Sequence, residues 1–292
     1  MKFLVTGSTG LVGRQVVKDL AENHEVYSCY HNIKPQHGVP ISLDLTNLDS
    51  IEKAVDQAKP DVIIHLAAMT DVDLCETEIE LAILLNAKAT EILARQAAKQ
   101  QAFFVYVSTD YVFDGKQGMK KEDDPPNPLG FYGKSKLEGE LALNNLASGW
   151  AIARTSTPFG IHPTKKSFPL WVKENLESKK EIPVLVDQFT SPTYVPNLSR
   201  MLIEVATRQI AGIIHLAGAT RISRYNLAEL VAEKLNLDKK PLKPISMSEM
   251  TWKAKRPQDS SLDVSYAIQI LNEKPQEIHQ SLDCFIQELD RT

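Results

Sequence analysis

Cysteine is scarce in this 292-residue chain: Cys29, Cys75 and Cys284 lie far apart and are odd in number. That excludes a disulfide framework. Without a CxxC pair it also gives no thiolate metal site, and no metal is expected. No apolar run approaches the ~20 residues of a membrane-spanning helix, so no membrane partner is expected. The N-terminus enters a strand pattern directly, without the layout of a signal peptide. A reducing cytoplasm is the expected location. A dominant charge sign is missing too. Thirty-three Lys and Arg face 37 Asp and Glu, a formal net charge of −4, which leaves no basic footprint for nucleic acid. Repeats and low-complexity segments are absent. What remains is a chain that is 43% hydrophobic, enough for a sizeable core in one large or two small domains.

The first informative stretch is "KFLVTGSTGLVGRQVV". Phe3-Leu4-Val5 reads as a buried strand, and Val12, Val16, Val17 and Leu20 recur at helical spacing. Gly7, Gly10 and Gly13 lie between and within them. Strand, glycine turn and helix make the first half of a βαβ unit, whose helix N-terminus offers free N–H groups and a positive dipole end to a pyrophosphate. Gly7 suits the tight turn, Gly10 a close approach of ligand, and Gly13 the packing of helix on strand.

Strand and helix patterns then alternate. Strands are expected at Glu25–Tyr30, Asp61–His65, Phe103–Val107 and Trp150–Arg154. Helices are expected at Asp49–Ala58, along the face made by Leu81, Leu84, Leu85, Ala89, Ile92, Leu93 and Ala97, and from Gly130 to about Leu146. This rhythm predicts an α/β fold, a Rossmann-type doubly wound parallel sheet. After Thr155 it breaks. Helices are expected near Phe168–Glu177, Val195–Thr207, Tyr225–Leu235 and Glu277–Leu289, with strands at Ile182–Val186 and Gly212–Leu216. The division expected is 1–156 for dinucleotide binding and 157–292 mostly for a smaller α/β substrate-binding cap, with segments near 187–217 returning to the first part.

Two further stretches carry chemistry. In "VYVSTDYVFDG" a buried strand ends at Ser108, Thr109, Asp110 and Tyr111. Ligands of doubly wound sheets bind beyond the carboxyl ends of the strands, so these side chains fall where chemistry belongs. In "NPLGFYGKSKLEGE", Tyr132 and Lys136 are four apart and share a helix face. A lysine cation one turn away is expected to lower the phenol pKa, so that Tyr132 exchanges a proton with a ketone or alcohol near neutral pH. Thr109 can hydrogen-bond the same oxygen, and Lys136 can also hold a ribose hydroxyl while a nicotinamide delivers hydride.

Together, GSTGLVG, "LDLTN" around Asp44, "HLAAMTDVDLCE", Asn86, "STDYVFDG" and YGKSK resemble the extended short-chain dehydrogenase/reductases. "VDQFTSPTYV", "GIIHLAG" and "RPQDSSLD" narrow the resemblance to the dTDP-4-dehydrorhamnose reductase branch and extend it over nearly the whole chain. The resemblance implies NAD(P)H-dependent reduction of a 4-keto group on a nucleotide-linked deoxysugar, with Thr109, Tyr132 and Lys136 catalytic. It places Gly7, Gly10, Leu11, Val12 and Gly13 on the pyrophosphate, Asp44 and Leu45 at the adenine, and Ala67, Ala68 and Thr70 beside the ribose and phosphates. Ser108 is assigned to the cofactor as well. Two positions depart from that branch: Thr157 stands where it has tryptophan and Ser167 where it has asparagine.

The region after the second strand reads Tyr30-His31-Asn32-Ile33-Lys34, with no carboxylate. A carboxylate there would repel a 2′-phosphate. Its absence, with His31, Lys34 and Arg14 nearby, favours NADP(H), with NAD(H) second. His65 and His215 read as packed, hydrogen-bonded strand residues. Among Asp71, Asp73 and Glu76, capping by Asp73 or Thr77 is expected rather than metal binding. Glu122-Asp123-Asp124 reads as a solvated loop. Asp110 either orients a substrate hydroxyl or caps a turn, and Tyr111 and Gln188 are expected to face substrate. Arg256 either pairs with a diphosphate or forms a surface salt bridge.

Three rival readings exist. Sugar 4,6-dehydratases look similar but carry an acid directly after Thr-Asp, where this chain has Tyr111. An epimerase is disfavoured by the C-terminal motifs. The regulatory subunit of methionine adenosyltransferase also resembles this branch and would bind NADP beside a partner enzyme. The partner expected for the reductase reading is a nucleotide sugar, and a homodimer is compatible with it.

Overall fold

The computed structural model describes residues 1–143 and 149–291. Its centre is a seven-stranded sheet. In chain order the strands are β1 (Lys2–Thr6), β2 (Glu25–Tyr30), β3 (Val39–Ser42), β4 (Val62–His65), β5 (Phe103–Thr109), β6 (Trp150–Thr155) and Gly212–His215. Across the sheet the order is Gly212–His215, β6, β5, β4, β1, β2, β3, and every pairing is parallel. The order reverses between β1 and β4, and in such sheets the crevice beyond the strand ends at that point takes the ligand.

Parallel strands are covered on both faces, which is why β1, β4 and β5 read as near-continuous apolar runs. On one face α1 (Leu11–Leu20) packs with Phe3, Val5, Ile64 and Val105. On the other, α2 (Leu48–Ala58) packs with Leu4, Ile63 and Phe104. The helix after α3 (Val72–Thr77) is one rod in three pieces: α4 (Ile79–Ile83), a π-turn at Leu84–Lys88, and α5 (Ala89–Lys99). The apolar stripe from Leu81 to Ala97 therefore runs through a widened turn at Asn86. The helix expected from Gly130 is α6 (Phe131–Leu143); the last three residues of that expectation, 144–146, lie outside the described residues.

The second half follows its expected helices closely: α7 (Phe168–Glu177), α8 (Val195–Arg208), α9 (Arg224–Lys234) and Ile278–Leu289. α8 and the strand Gly212–His215 belong to the central sheet, since Leu198, Leu202, Val205 and Ile214 share its core with α1. α7, α9 and Ile278–Leu289 form a separate cluster around Phe159, Val172, Leu227, Val231 and Phe285. Ile182–Leu185 pairs in parallel with Leu242–Ile245, a strand the sequence pattern does not predict. β3 was also unforeseen, because its exposure pattern has one buried residue in four and no alternation.

Candidate active site

The glycine turn is built as its spacing requires. Gly7 has φ +66°, a left-handed conformation that glycine adopts without steric cost. A Cβ at Gly13 would lie 2.1 Å from the Gly7 carbonyl oxygen, so the first turn of α1 presses on the turn itself rather than on a strand side chain. The N-cap is Gly10, and no side chain caps the helix. Its end therefore offers N–H groups, as a pyrophosphate site needs. Leu11 and Val12 begin the helix beside them.

β4 ends against this turn. The Thr6 hydroxyl lies 2.6 Å from His65 Nδ1 and accepts from the backbone N–H groups of Leu66 and Ala67. His65 Nε2 lies 3.0 Å from the Thr90 hydroxyl. Burial, with the nearby Lys136 charge, pushes the His65 pKa down to about 3. His65 is a neutral packed histidine that helps brace the segment carrying Ala67, Ala68 and Thr70. His215 is similar: Nδ1 meets the Asp263 carbonyl at 3.1 Å, and burial lowers its pKa to about 4.

Beyond β5, the side chains divide the work differently from the sequence expectation. Thr109 donates to Asp110 Oδ1 at 2.9 Å and accepts from the Tyr111 N–H at 3.2 Å, capping the short turn Asp110–Val112. Thr109, not Asp110, is the cap. Asp110 is buried, takes a second hydroxyl from Ser156 at 2.7 Å, and has its pKa raised by that burial. The Thr109 proton is thus directed to a carboxylate rather than into the cleft. The Tyr132 ring sits edge-on to Tyr111 at 5.8 Å.

Lys136 also departs from expectation. Its ammonium donates to the Val107 carbonyl at 2.8 Å and lies 4.0 Å from the centre of the Tyr106 ring. Burial pulls its pKa down to about 7, while Glu140 opposes that fall. The Tyr132 phenol is pushed well above its ordinary value by burial, with Thr109 hydrogen bonding as the opposing influence. The expected lowering by Lys136 is not seen here, because desolvation outweighs a cation that is docked on the strand. Asn86, in the π-turn, ties the site together. Its amide donates to Met69 O and Ser135 Oγ, both at 3.0 Å, and its carbonyl oxygen accepts from Met69 N at 2.8 Å. A buried Asn within an apolar stripe was the signal available for it.

Several assignments change. Asp71 caps α3 by accepting from Leu74 N, and Asp73 instead holds Arg256 in a two-point ion pair at 2.9 and 3.1 Å. Arg256 also lies 4.4 Å from the Trp252 ring, and its pair with the partly exposed Asp73 is the salt-bridge reading realised. Glu76 accepts from the N–H of Phe131 at 2.7 Å, at the start of α6. Glu122 is only partly solvated: its carboxylate accepts from His215 N, and burial raises its pKa, while Asp123 is exposed as expected. Gln188 is buried, 3.5 Å from the Pro257 carbonyl. Ser167 spends its hydroxyl on Gly160 O at 2.9 Å. Thr157 stays near the cleft, and Arg224, which the sequence reading did not single out, reaches it.

The residues fit a dinucleotide. The helix end is uncapped, and the Ser108 hydroxyl is buried with no protein partner. At the far end of the crevice Asp44 is engaged by Thr46, with His31 Nε2 3.9 Å away, and Arg14 reaches Gln36 at 2.7 Å. The cations expected near a 2′-phosphate therefore line the exposed loop after β2, beside Leu45 at the β3 end. Among the described residues no cluster of acidic, His or Cys side chains could hold a metal, and no helix is long and apolar enough to cross a membrane.

Comparison with known proteins agrees with this geometry. The family model described as RmlD substrate binding domain matches residues 1–291. This chain belongs to that family. It is an NAD(P)-dependent oxidoreductase of the extended short-chain dehydrogenase/reductase type. A solved structure of a hypothetical dTDP-4-dehydrorhamnose reductase from Sulfolobus tokodaii is 40% identical, covering 94% of this chain and 97% of that one, with TM-score 0.86. The dTDP-4-dehydrorhamnose reductase from Bacillus anthracis, solved in complex with NADP, is 29% identical over 99% of this chain and 100% of that one, with TM-score 0.88. Methionine adenosyltransferase 2 subunit beta from Xenopus tropicalis is 35% identical over 90% of this chain and 80% of its own length.

Proposed function

We propose that this protein reduces the 4-keto group of a nucleotide-linked 6-deoxysugar with NADPH, dTDP-4-dehydrorhamnose being the first substrate to test. The carrying observation is the meeting of Thr109 and Tyr132 at the carboxyl end of β5, with Lys136 one turn further along α6. The likeness to reductases of that name supports it.

A bound nicotinamide would supply the hydride for the carbonyl carbon. Tyr132 gives its phenolic proton to the ketone oxygen, forming the alcohol. Thr109, anchored through Asp110, would orient the phenol. The raised pKa keeps the phenol protonated at neutral pH, so the proton the reduction needs is present. Lys136, with a pKa near 7, would return that proton to Tyr132. Gly7, Gly10 and Gly13 with Leu11 and Val12 would hold the pyrophosphate, Ala67, Ala68, Thr70 and Ser108 would lie along the ribose and phosphates, and Asp44 and Leu45 would line the adenine. Arg14, His31 and Lys34 would favour the 2′-phosphate. Tyr111 would form a wall of the sugar site, while Gln188 and Arg256 would shape it through their contacts.

The test is NADPH oxidation, followed at the nicotinamide absorbance, with a panel of nucleotide-linked 4-keto-6-deoxysugars. Tyr132→Phe should keep NADPH binding and lose about 10²- to 10⁴-fold in turnover; wild-type turnover in that variant would refute the mechanism. A second reading rests on the adenosyltransferase likeness: an NADP-binding regulatory subunit. It predicts tight NADPH binding, no turnover with any sugar, and co-purification of a second enzyme.

A further inference from the structure

Arg224 opens α9 on the cap side of the cleft. Its guanidinium reaches the Thr157 hydroxyl at 3.5 Å and stacks over the Phe168 ring at 5.1 Å. Both supports are poor partners for a cation with five donors. Its charge is felt by Asp110 and Tyr111, which places it close to the catalytic turn. Among the described residues no carboxylate lies within ion-pair distance of it. The other two arginines of this wall differ in that respect. Arg256 is neutralised by Asp73, and Arg221 is paired with Asp259 at 2.7 Å.

The residue that receives Arg224 is itself unusual. Thr157 has φ +42°, a left-handed conformation that is costly for a β-branched side chain. Thr190 donates to its hydroxyl at 2.9 Å, so the oxygen that Arg224 meets is held in place from the opposite side. The backbone of Arg224 is tied as well, through its N–H to the Gln188 carbonyl at 3.0 Å. The cation is thus held at both ends in a partly desolvated cleft, with most of its donors unspent. A desolvated guanidinium in that condition binds an oxyanion strongly, and in a two-point geometry.

We infer that Arg224 is a substrate-binding residue that takes an oxyanion of the nucleotide sugar, steadied by Thr157 and Phe168. The ligand class rests on the function proposed above. The oxyanion has two sources: the diphosphate between nucleoside and sugar, or a carboxylate on the sugar. Both are recognised by the same fork of N–H donors.

The experiment titrates dTDP, UDP and UDP-glucuronate into the full-length protein saturated with NADP⁺, by calorimetry, for wild type, Arg224→Met and Arg224→Lys. Thermal unfolding and the NADP⁺ Kd serve as fold controls. If the diphosphate is the ligand, Arg224→Met raises the Kd of dTDP and UDP by about 30-fold or more. A carboxylate ligand leaves those two unchanged and weakens only UDP-glucuronate. Either result supports the assignment. Wild-type affinities for all three in Arg224→Met overturn it, as does a variant with reduced turnover but unchanged Kd values, which would make Arg224 a mere counter-charge for Asp110. If Arg224→Met does not fold, Arg224→Lys decides, because a lysine that binds the probes like wild type denies the two-point contact. Failure of wild type to bind any probe overturns the assignment too. Tight Arg224-dependent binding without reduction of any 4-keto sugar would sink the reductase reading and leave this one standing.

Discussion

Replacing Gly13 by alanine adds one methyl group at the tightest point of the glycine turn. The new Cβ would lie 2.1 Å from the Gly7 carbonyl oxygen, 2.8 Å from its carbon and 3.1 Å from Ser8 Cα. All three are backbone atoms, so no side chain can swing away and the first turn of α1 must move. Overpacking of this kind costs about 1–3 kcal/mol. The helix propensity of alanine returns up to about 1 kcal/mol, leaving a net loss of up to about 2 kcal/mol even when all of it is recovered. At about 2–4 °C per kcal/mol, the thermal midpoint should fall by several degrees. The displaced turn should also weaken NADPH binding by about tenfold or more, since loss of one aligned N–H contact to a phosphate costs over about 1.4 kcal/mol. Gly10→Ala is the control. Its Cβ meets only the Gly7 oxygen, at 3.2 Å, and its φ of −75° suits any residue. It should unfold within about 1 kcal/mol of wild type. Melting curves and NADPH fluorescence titrations read both effects. A Gly13→Ala protein that melts like Gly10→Ala and binds NADPH like wild type would refute the close-approach argument.

Arg154 and Glu140 form a buried two-point pair at 3.0 and 2.7 Å, linking β6 to α6. Glu140→Gln or Arg154→Met should each cost about 3–5 kcal/mol in urea unfolding, and the double change to two methionines should cost less than either. His215 is held neutral with a pKa of about 4, whereas in the unfolded chain it titrates near ~6.5. Unfolding therefore takes up a proton between those values, and stability falls as pH drops through that window, by about 3 kcal/mol in all from this residue. His215→Gln should flatten the fall in urea midpoint between pH 6.5 and 4; an unchanged slope counts against it. Lys136 has the same sign at higher pH: neutral in the fold above about pH 7 but charged to ~10.4 when unfolded, it makes stability rise with pH between those values. Lys136→Met should gain most on wild type at pH 6 and least at pH 9.

Local pattern determined much of this molecule. The apolar runs of β1, β4 and β5, the stripe of α1 and the three glycines follow from residues within a few positions of one another, and so does the shared face of Tyr132 and Lys136. Periodicity and a need for left-handed backbone at Gly7 are written in adjacent letters, which is why the doubly wound sheet and the cofactor turn were legible. β3 and Leu242–Ile245 were not, because short strands with mostly exposed residues carry no alternation.

The electrostatic state of the site was decided only by tertiary packing. Lys136 docks on Val107, 29 positions away, and Asp110 collects the Ser156 hydroxyl from the neighbouring strand end. Glu122 reaches His215, Asp73 holds Arg256, and Arg224 meets Thr157, over separations of 67 to 183 residues. Spacing along a helix can say that a lysine and a tyrosine share a face. Whether the cation lowers the phenol depends on where its ammonium finds a partner and how much water remains, and both are set by the packing of segments far apart in the chain.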